Sequence, residues 1–264
     1  MDERDLLRKY AGLGYEYGRL PRLLARRARF GDMPHEVRRL LFRVASPAGA
    51  KRVRKLRSAV PHSSTSESLR LFCETRTVFV HIPKTAGNSV GWSLYGRKLG
   101  GHRRLVDYEL CFSKAELESF FKFAFVRNPW DRLVSAYRFM TKGGKNRYDV
   151  AWSRQFMAPF DCFREFVEGW VTEENVRKGF HFRPQCEFVV SSEKVIGVDQ
   201  IYCFEEIERD YEYLRERLGF GDRLQVRNRT DGRSPDYRDM YDAKTKDIVG
   251  SVYRDDIREF SYRF

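Results

Sequence analysis

The chain has 264 residues, of which 42% are hydrophobic, 15% aromatic and 33% charged, with a formal net charge of +13. That length allows one large domain or two small ones, with a core that needs no metal or disulfide staples. Twenty-one Phe and 14 Tyr exclude a disordered chain, and the lack of any apolar run near ~18 residues excludes a membrane-spanning helix.

The charge is unevenly placed. Residues 1–57 hold 16 Lys and Arg against 6 Asp and Glu, whereas the remainder is nearly balanced at 34 against 31. Residues 1–57 therefore read as a basic helical N-terminal arm. Within it His35-Glu36-Val37-Arg38-Arg39-Leu40-Leu41-Phe42 puts Val37, Leu40 and Leu41 on one stripe with arginines beside it. Such an arm is either the solvated face of a helix docked on the core or a contact for an anionic membrane surface or anionic polymer. With the charge in the arm, no specific nucleic acid is expected as a partner of the rest. The start, Met1-Asp-Glu-Arg-Asp, has no apolar leader core, so a cytoplasmic location is expected, membrane-peripheral if the arm binds lipid. Residues 58–75 open on a Ser-rich stretch and read as a linker or exposed loop. The five cysteines form no CxxC pair and read as reduced thiols, and no cluster has metal-ligand spacing.

Thr77-Val78-Phe79-Val80-His81-Ile82 reads as a buried strand. Pro83 stops it. Lys84-Thr85-Ala86-Gly87-Asn88-Ser89 then makes a tight turn of small and hydroxylated residues, and Val90-Gly91-Trp92-Ser93-Leu94-Tyr95 reads as a helix. Strand, turn and helix in this order are how proteins build anion sites, because N–H groups at the helix start and its dipole favour negative charge. Lys84 adds an ammonium group. The pattern is not GxxxxGK[ST], since the lysine precedes the glycine, and a structural turn with a surface lysine reads equally well at this point.

Ser113-Lys114-Ala115-Glu116 has capping-box form and opens a short helix. Lys122-Phe123-Ala124-Phe125-Val126 reads as a second buried strand, followed by Arg127-Asn128-Pro129-Trp130-Asp131-Arg132 and a helix from Leu133. An Arg at a strand end and Ser135 eight residues later can meet on one anion, the guanidinium by its planar fork and the serine by its hydroxyl. Asn228-Arg229-Thr230 fits N-x-[ST] and is read as incidental. Trp130 and Trp170 read as core, with stacking on a sugar or adenine as the other possibility.

The segment from Phe79 to Ser89 resembles the phosphosulfate-binding loop of the carbohydrate sulfotransferases that use 3′-phosphoadenylyl sulfate (PAPS), the heparan, chondroitin and dermatan type. The segment from Phe125 to Tyr137 resembles their 3′-phosphate motif. His181-Phe182-Arg183-Pro184-Gln185, Phe204-Glu205-Glu206-Ile207 and the stretch from Tyr253 to Tyr262 resemble later parts of that family. The likeness spans residues 76–264, which would be the catalytic domain, and departs at Asn88, where the family more often has Thr or Ser. It implies an α/β fold: a central, mostly parallel sheet flanked by helices, with P-loop-like phosphate binding at strand ends.

The activity implied is sulfuryl transfer from PAPS, without a metal, to a carbohydrate hydroxyl. Lys84 would hold the bridging and 5′-phosphate oxygens, with Thr85, Ala86, Gly87, Asn88 and Ser89 on the same side. Arg127 and Ser135 would hold the 3′-phosphate. His102, in a Gly-His pair where related enzymes carry one, is the expected base, with His181 as the alternative. His81 is read as structural. The competing function classes are a P-loop-type kinase or NTPase, for which GxxxxGK[ST] and a Mg-binding acidic strand end are lacking, and a basic nucleic-acid- or membrane-binding module.

Overall fold

The computed structural model describes residues 34–58, 69–97, 99, 101–225 and 236–264. The first part of the arm, most of the Ser-rich stretch and the N-x-[ST] site lie outside these residues. In chain order the elements are α1 (His35–Ala45), α2 (Pro47–Ser58), α3 (Arg70–Thr75), β1 (Thr77–Val80), α4 (Gly87–Tyr95), α5 (Leu105–Cys111), α6 (Lys114–Ser119) and β2 (Phe121–Val126). They continue with α7 (Pro129–Thr141), α8 (Arg147–Phe156), α9 (Phe163–Trp170), α10 (Cys186–Val189), β3 (Gln200–Cys203), α11 (Ile207–Leu218), α12 (Ala243–Val252) and α13 (Arg254–Glu259). The described residues form two compact units, one made of 34–126 and 187–225, the other of 127–186 and 236–264.

The first unit is α/β. Its sheet has the order β1-β2-β3, with both pairings parallel. Val80 is opposite Ala124, and Val126 is opposite Cys203. All of β1 and the last four residues of β2 are buried. Their continuous apolar runs, rather than an alternation, are what a parallel sheet covered by helices on its faces requires. Before β2, Ser113 caps α6 as its spacing predicts: the Glu116 N–H donates to Ser113 Oγ at 3.2 Å and the Ser113 N–H donates to Glu116 Oε2 at 2.7 Å.

α1 and α2 pack on each other and on α5, and here the expected orientation is reversed. Val37 and Leu40 are exposed, while Arg38, Arg39 and Phe42 are buried. The reason lies on α5. Arg38 reaches the buried Glu109 carboxylate at 2.8 Å, and the His35 ring bonds the Phe112 carbonyl at 3.0 Å. A long arginine stem also covers apolar surface as its head finds a partner, so the arginine stripe docks and the aliphatic stripe faces out. Arg57 closes the far end of α2 on the Cys111 carbonyl at 2.9 Å and on the Glu116 carboxylate.

The second unit has an aromatic core contributed by α7, α8, α9 and α12. Trp152 stacks on Phe182 at 5.1 Å and meets Trp170 edge-on at 5.3 Å. Trp130 and Trp170 both belong to this core, and the Trp130 indole N–H donates to the Lys246 carbonyl at 3.0 Å. Asn128 caps α7 by accepting the Trp130 N–H at 3.1 Å, and Pro129 takes the first helical position, where no N–H is missed.

Candidate functional site

β1 delivers the chain into the loop that carries the expected phosphate contacts. His81, Ile82, Pro83 and Thr85 are buried there, and α4 begins at Gly87. Lys84 and Ala86 have φ of +72° and +57°, left-handed conformations that non-glycine residues adopt only where surrounding contacts enforce them. One such contact is the Thr85 hydroxyl, which donates to the Ile82 carbonyl at 3.0 Å. The Thr85 side chain thus braces the turn. Left-handed residues on both sides of Thr85 turn successive peptide N–H groups into one concavity, and the start of α4 adds its unpaired N–H groups and dipole. Backbone concavities of this kind are where proteins bind anions. Lys84 is half-buried, and Asn88 and Ser89 lie in the first turn of α4.

A histidine packs against the loop at Gly87. A Cβ on Gly87 would overlap the His81 ring, so only glycine fits that position. The His81 ring is itself stacked on Phe79 at 5.5 Å and lies 4.3 Å from the ring of His102. His102 Nδ1 is 3.0 Å from the His81 carbonyl oxygen. A carbonyl can only accept, so Nδ1 carries the proton and a neutral His102 has its lone pair on Nε2. The structure therefore brings His102 to the Lys84–Ala86 loop through His81, across a separation of 21 residues.

In the second unit the segment after β2 is held by residues that sequence reasoning did not single out. Gln185, fully buried, accepts the Arg127 N–H at 2.9 Å and donates to the Arg127 carbonyl at 2.7 Å, clamping that backbone as a strand partner would. Gln185 is fixed in turn by Asp256, which accepts the N–H groups of Gln185 and Cys186 at 2.7 and 2.8 Å. Burial pushes the Asp256 carboxyl up, against the pull of Arg132 and these N–H donors. Arg132, also buried, donates to the carbonyls of His181 and Arg183 at 3.2 and 2.6 Å.

The Arg127 guanidinium meets Asp131 through Nε and Nη2, both at 2.8 Å. This pairing fixes the direction of the guanidinium plane at the start of α7. Ser135 lies about two helical turns from Arg127 and is half-buried. His181 is buried with Phe139 at 4.9 Å and Phe180 at 4.3 Å from its ring. Gln185 and Asp256 lie in family-like segments, but the sequence does not show what they hold, because their partners are a backbone 58 residues away and two N–H groups about 70 residues away.

Among the described residues no group of three or more His, Cys, Asp or Glu is placed to hold a metal ion, and no helix is long and apolar enough to cross a membrane. The sequence profile described as the sulfotransferase family matches residues 73–263. Carbohydrate sulfotransferase 14 of Danio rerio is 26% identical over an alignment covering 55% of this chain and 47% of that protein. The chain thus spans about half the length of the curated relative it matches. No solved structure matches the chain.

Proposed function

The chain belongs to the sulfotransferase family, and on that footing we propose that it transfers a sulfuryl group from PAPS to a carbohydrate hydroxyl, releasing adenosine 3′,5′-bisphosphate. The observation that carries this reading is the loop at the start of α4, with left-handed Lys84 and Ala86, to which His102 is tied through His81. The named activity of the Danio rerio relative supports a carbohydrate as acceptor.

PAPS supplies an activated sulfuryl group on a phosphate leaving group, and the chemistry left to the protein is positioning and charge stabilisation, as in phosphoryl transfer. The N–H groups from Thr85 to Ser89 hold the 5′-phosphate. Lys84 meets the negative charge that grows on the bridging oxygen as the sulfur–oxygen bond breaks. Arg127 and Ser135 hold the 3′-phosphate, with the guanidinium directed by Asp131 and its backbone by Gln185. Nε2 of His102 takes the proton of the attacking hydroxyl, a group far too weakly acidic to ionise beforehand at neutral pH. His181, among aromatic rings, is the alternative base.

The test is transfer of labelled sulfur from PAPS to a panel of glycans. Label on at least one glycan, lost in Lys84→Ala by about 100- to 1000-fold, is the expected result. A Lys84→Ala protein as active as wild type would remove this loop from the reaction.

A further inference from the structure

The α1–α2 pair presents a surface that the transfer chemistry does not use. On α1, Val37, Leu40 and Val44 are 44%, 60% and 70% exposed. They are spaced i, i+3, i+7 and so share one face. Their outward direction is fixed from inside, because rolling α1 to hide them would pull Arg38 off the buried Glu109 and Phe42 out of the core. On α2, Val53 and Leu56 are buried while Lys51, Arg54 and Lys55 are exposed on one face. Arg43 adds an exposed cation next to the aliphatic strip. Glu36 is the one acidic residue between 34 and 58, against eight Lys and Arg, and its carboxylate is taken by Arg39 and the Lys114 N–H. Arg43, Lys51, Arg54 and Lys55 make no ion pair among the described residues. Between the two helices a cavity of about 610 Å³ has Phe42, Val53 and Leu110 in its wall, together with Arg43 and Arg54.

A purely ionic partner would use the cations and gain nothing from the exposed Val37, Leu40 and Val44. An anionic bilayer uses both, since aliphatic side chains enter the headgroup boundary while Lys and Arg meet lipid phosphates. We propose that α1 and α2 dock the protein on an anionic phospholipid surface, with Val37, Leu40 and Val44 inserted and Arg43, Lys51, Arg54 and Lys55 on the headgroups. The docking is independent of the reaction assigned above.

The test uses the full chain and sedimentation with phosphatidylcholine vesicles, with and without phosphatidylglycerol. Wild type is expected to co-sediment with the anionic vesicles only, and added salt should weaken the binding. Leu40→Glu/Val44→Glu, at exposed positions, should lower partitioning at least tenfold with an unchanged melting temperature. Arg54→Glu/Lys55→Glu should also lower it, each cation near the surface being worth about fivefold. Three results overturn the proposal. The first is no binding by wild type. The second is charge reversal that abolishes binding while Leu40→Glu/Val44→Glu binds as wild type, which would make this face a contact for a polyanion. The third is undiminished binding by both variants, which would put the contact elsewhere in the chain.

Discussion

His81 does two things at once: its ring fills the space that a side chain at Gly87 would need, and its carbonyl holds the His102 Nδ1–H. Gly87→Ala therefore forces that ring to move, and His102 moves with it. We expect a stability loss of roughly 1–3 kcal/mol, the usual cost of overpacking, and a loss of turnover larger than that figure explains. Thermal melts and transfer rates on the same variant check it, and a Gly87→Ala protein that keeps full turnover would show that the contact does not set the base. His102 gives a second prediction at this scale. His102→Gln keeps a polar group that can reach the His81 carbonyl but cannot take a proton, so turnover should fall by about 100- to 10,000-fold. Affinity for adenosine 3′,5′-bisphosphate should stay, because the proposed reading assigns the phosphates to other residues. If His102→Gln remains active and His181→Ala does not, the proton goes to His181 instead.

Elements divide into those with a local cause and those without one. β1, β2 and the capped α6 are legible in the sequence because a buried apolar run and a Ser-x-x-Glu box act within a few residues. The Lys84 loop is legible for the same reason, as small residues between a strand and a helix. β3 is not: it is no shorter than β1, but Gln200-Ile-Tyr-Cys starts on an exposed Gln and buries only Tyr202, so it lacks the continuous apolar run that marks β1. The roll of α1 is hidden because its decisive partner, Glu109, lies 71 residues away. The Gln185–Asp256 support of Arg127 is hidden in the same manner. The contact of α2 with α6 is open to a pH test. Burial raises the Glu116 carboxyl, but the bonds from Arg57 and Ser113 outweigh it and hold the group at about 2, against an ordinary 4.5. A carboxyl lowered on folding contributes stability that is complete above its unfolded value and is lost as pH falls through the folded one. Acid unfolding should therefore include a proton-linked loss between about pH 4.5 and 2. Glu116→Gln should make the protein less stable near neutrality and remove that part of the acid dependence, as read from denaturant melts across pH.

For the whole molecule the sharpest consequence of the proposed reading is ligand selectivity, and stability reports it without any turnover. A ligand that binds only the folded chain adds about 2.7 kcal/mol at one hundred times its Kd, which for a chain of this size corresponds to a melting shift of roughly 5–10 °C. Adenosine 3′,5′-bisphosphate carries the phosphate assigned to Arg127 and Ser135 as well as the one assigned to the Lys84 loop, whereas adenosine 5′-phosphate carries only the latter. Charge-assisted hydrogen bonds to the second phosphate are worth roughly 1.5–3 kcal/mol, about 10- to 150-fold in affinity. At equal concentrations the bisphosphate should raise the melting temperature clearly more than the monophosphate does. Arg127→Ala should bring the two shifts together and leave the monophosphate shift as it was, since the loop at Lys84 is untouched. Because Arg127 sits between a strand end and a capped helix and its backbone is held by Gln185, the substitution should leave the fold in place. Loss of both shifts in Arg127→Ala would mean that the guanidinium supports the fold rather than the nucleotide. Equal shifts for the two nucleotides on the wild-type chain would take the 3′-phosphate away from Arg127 and Ser135.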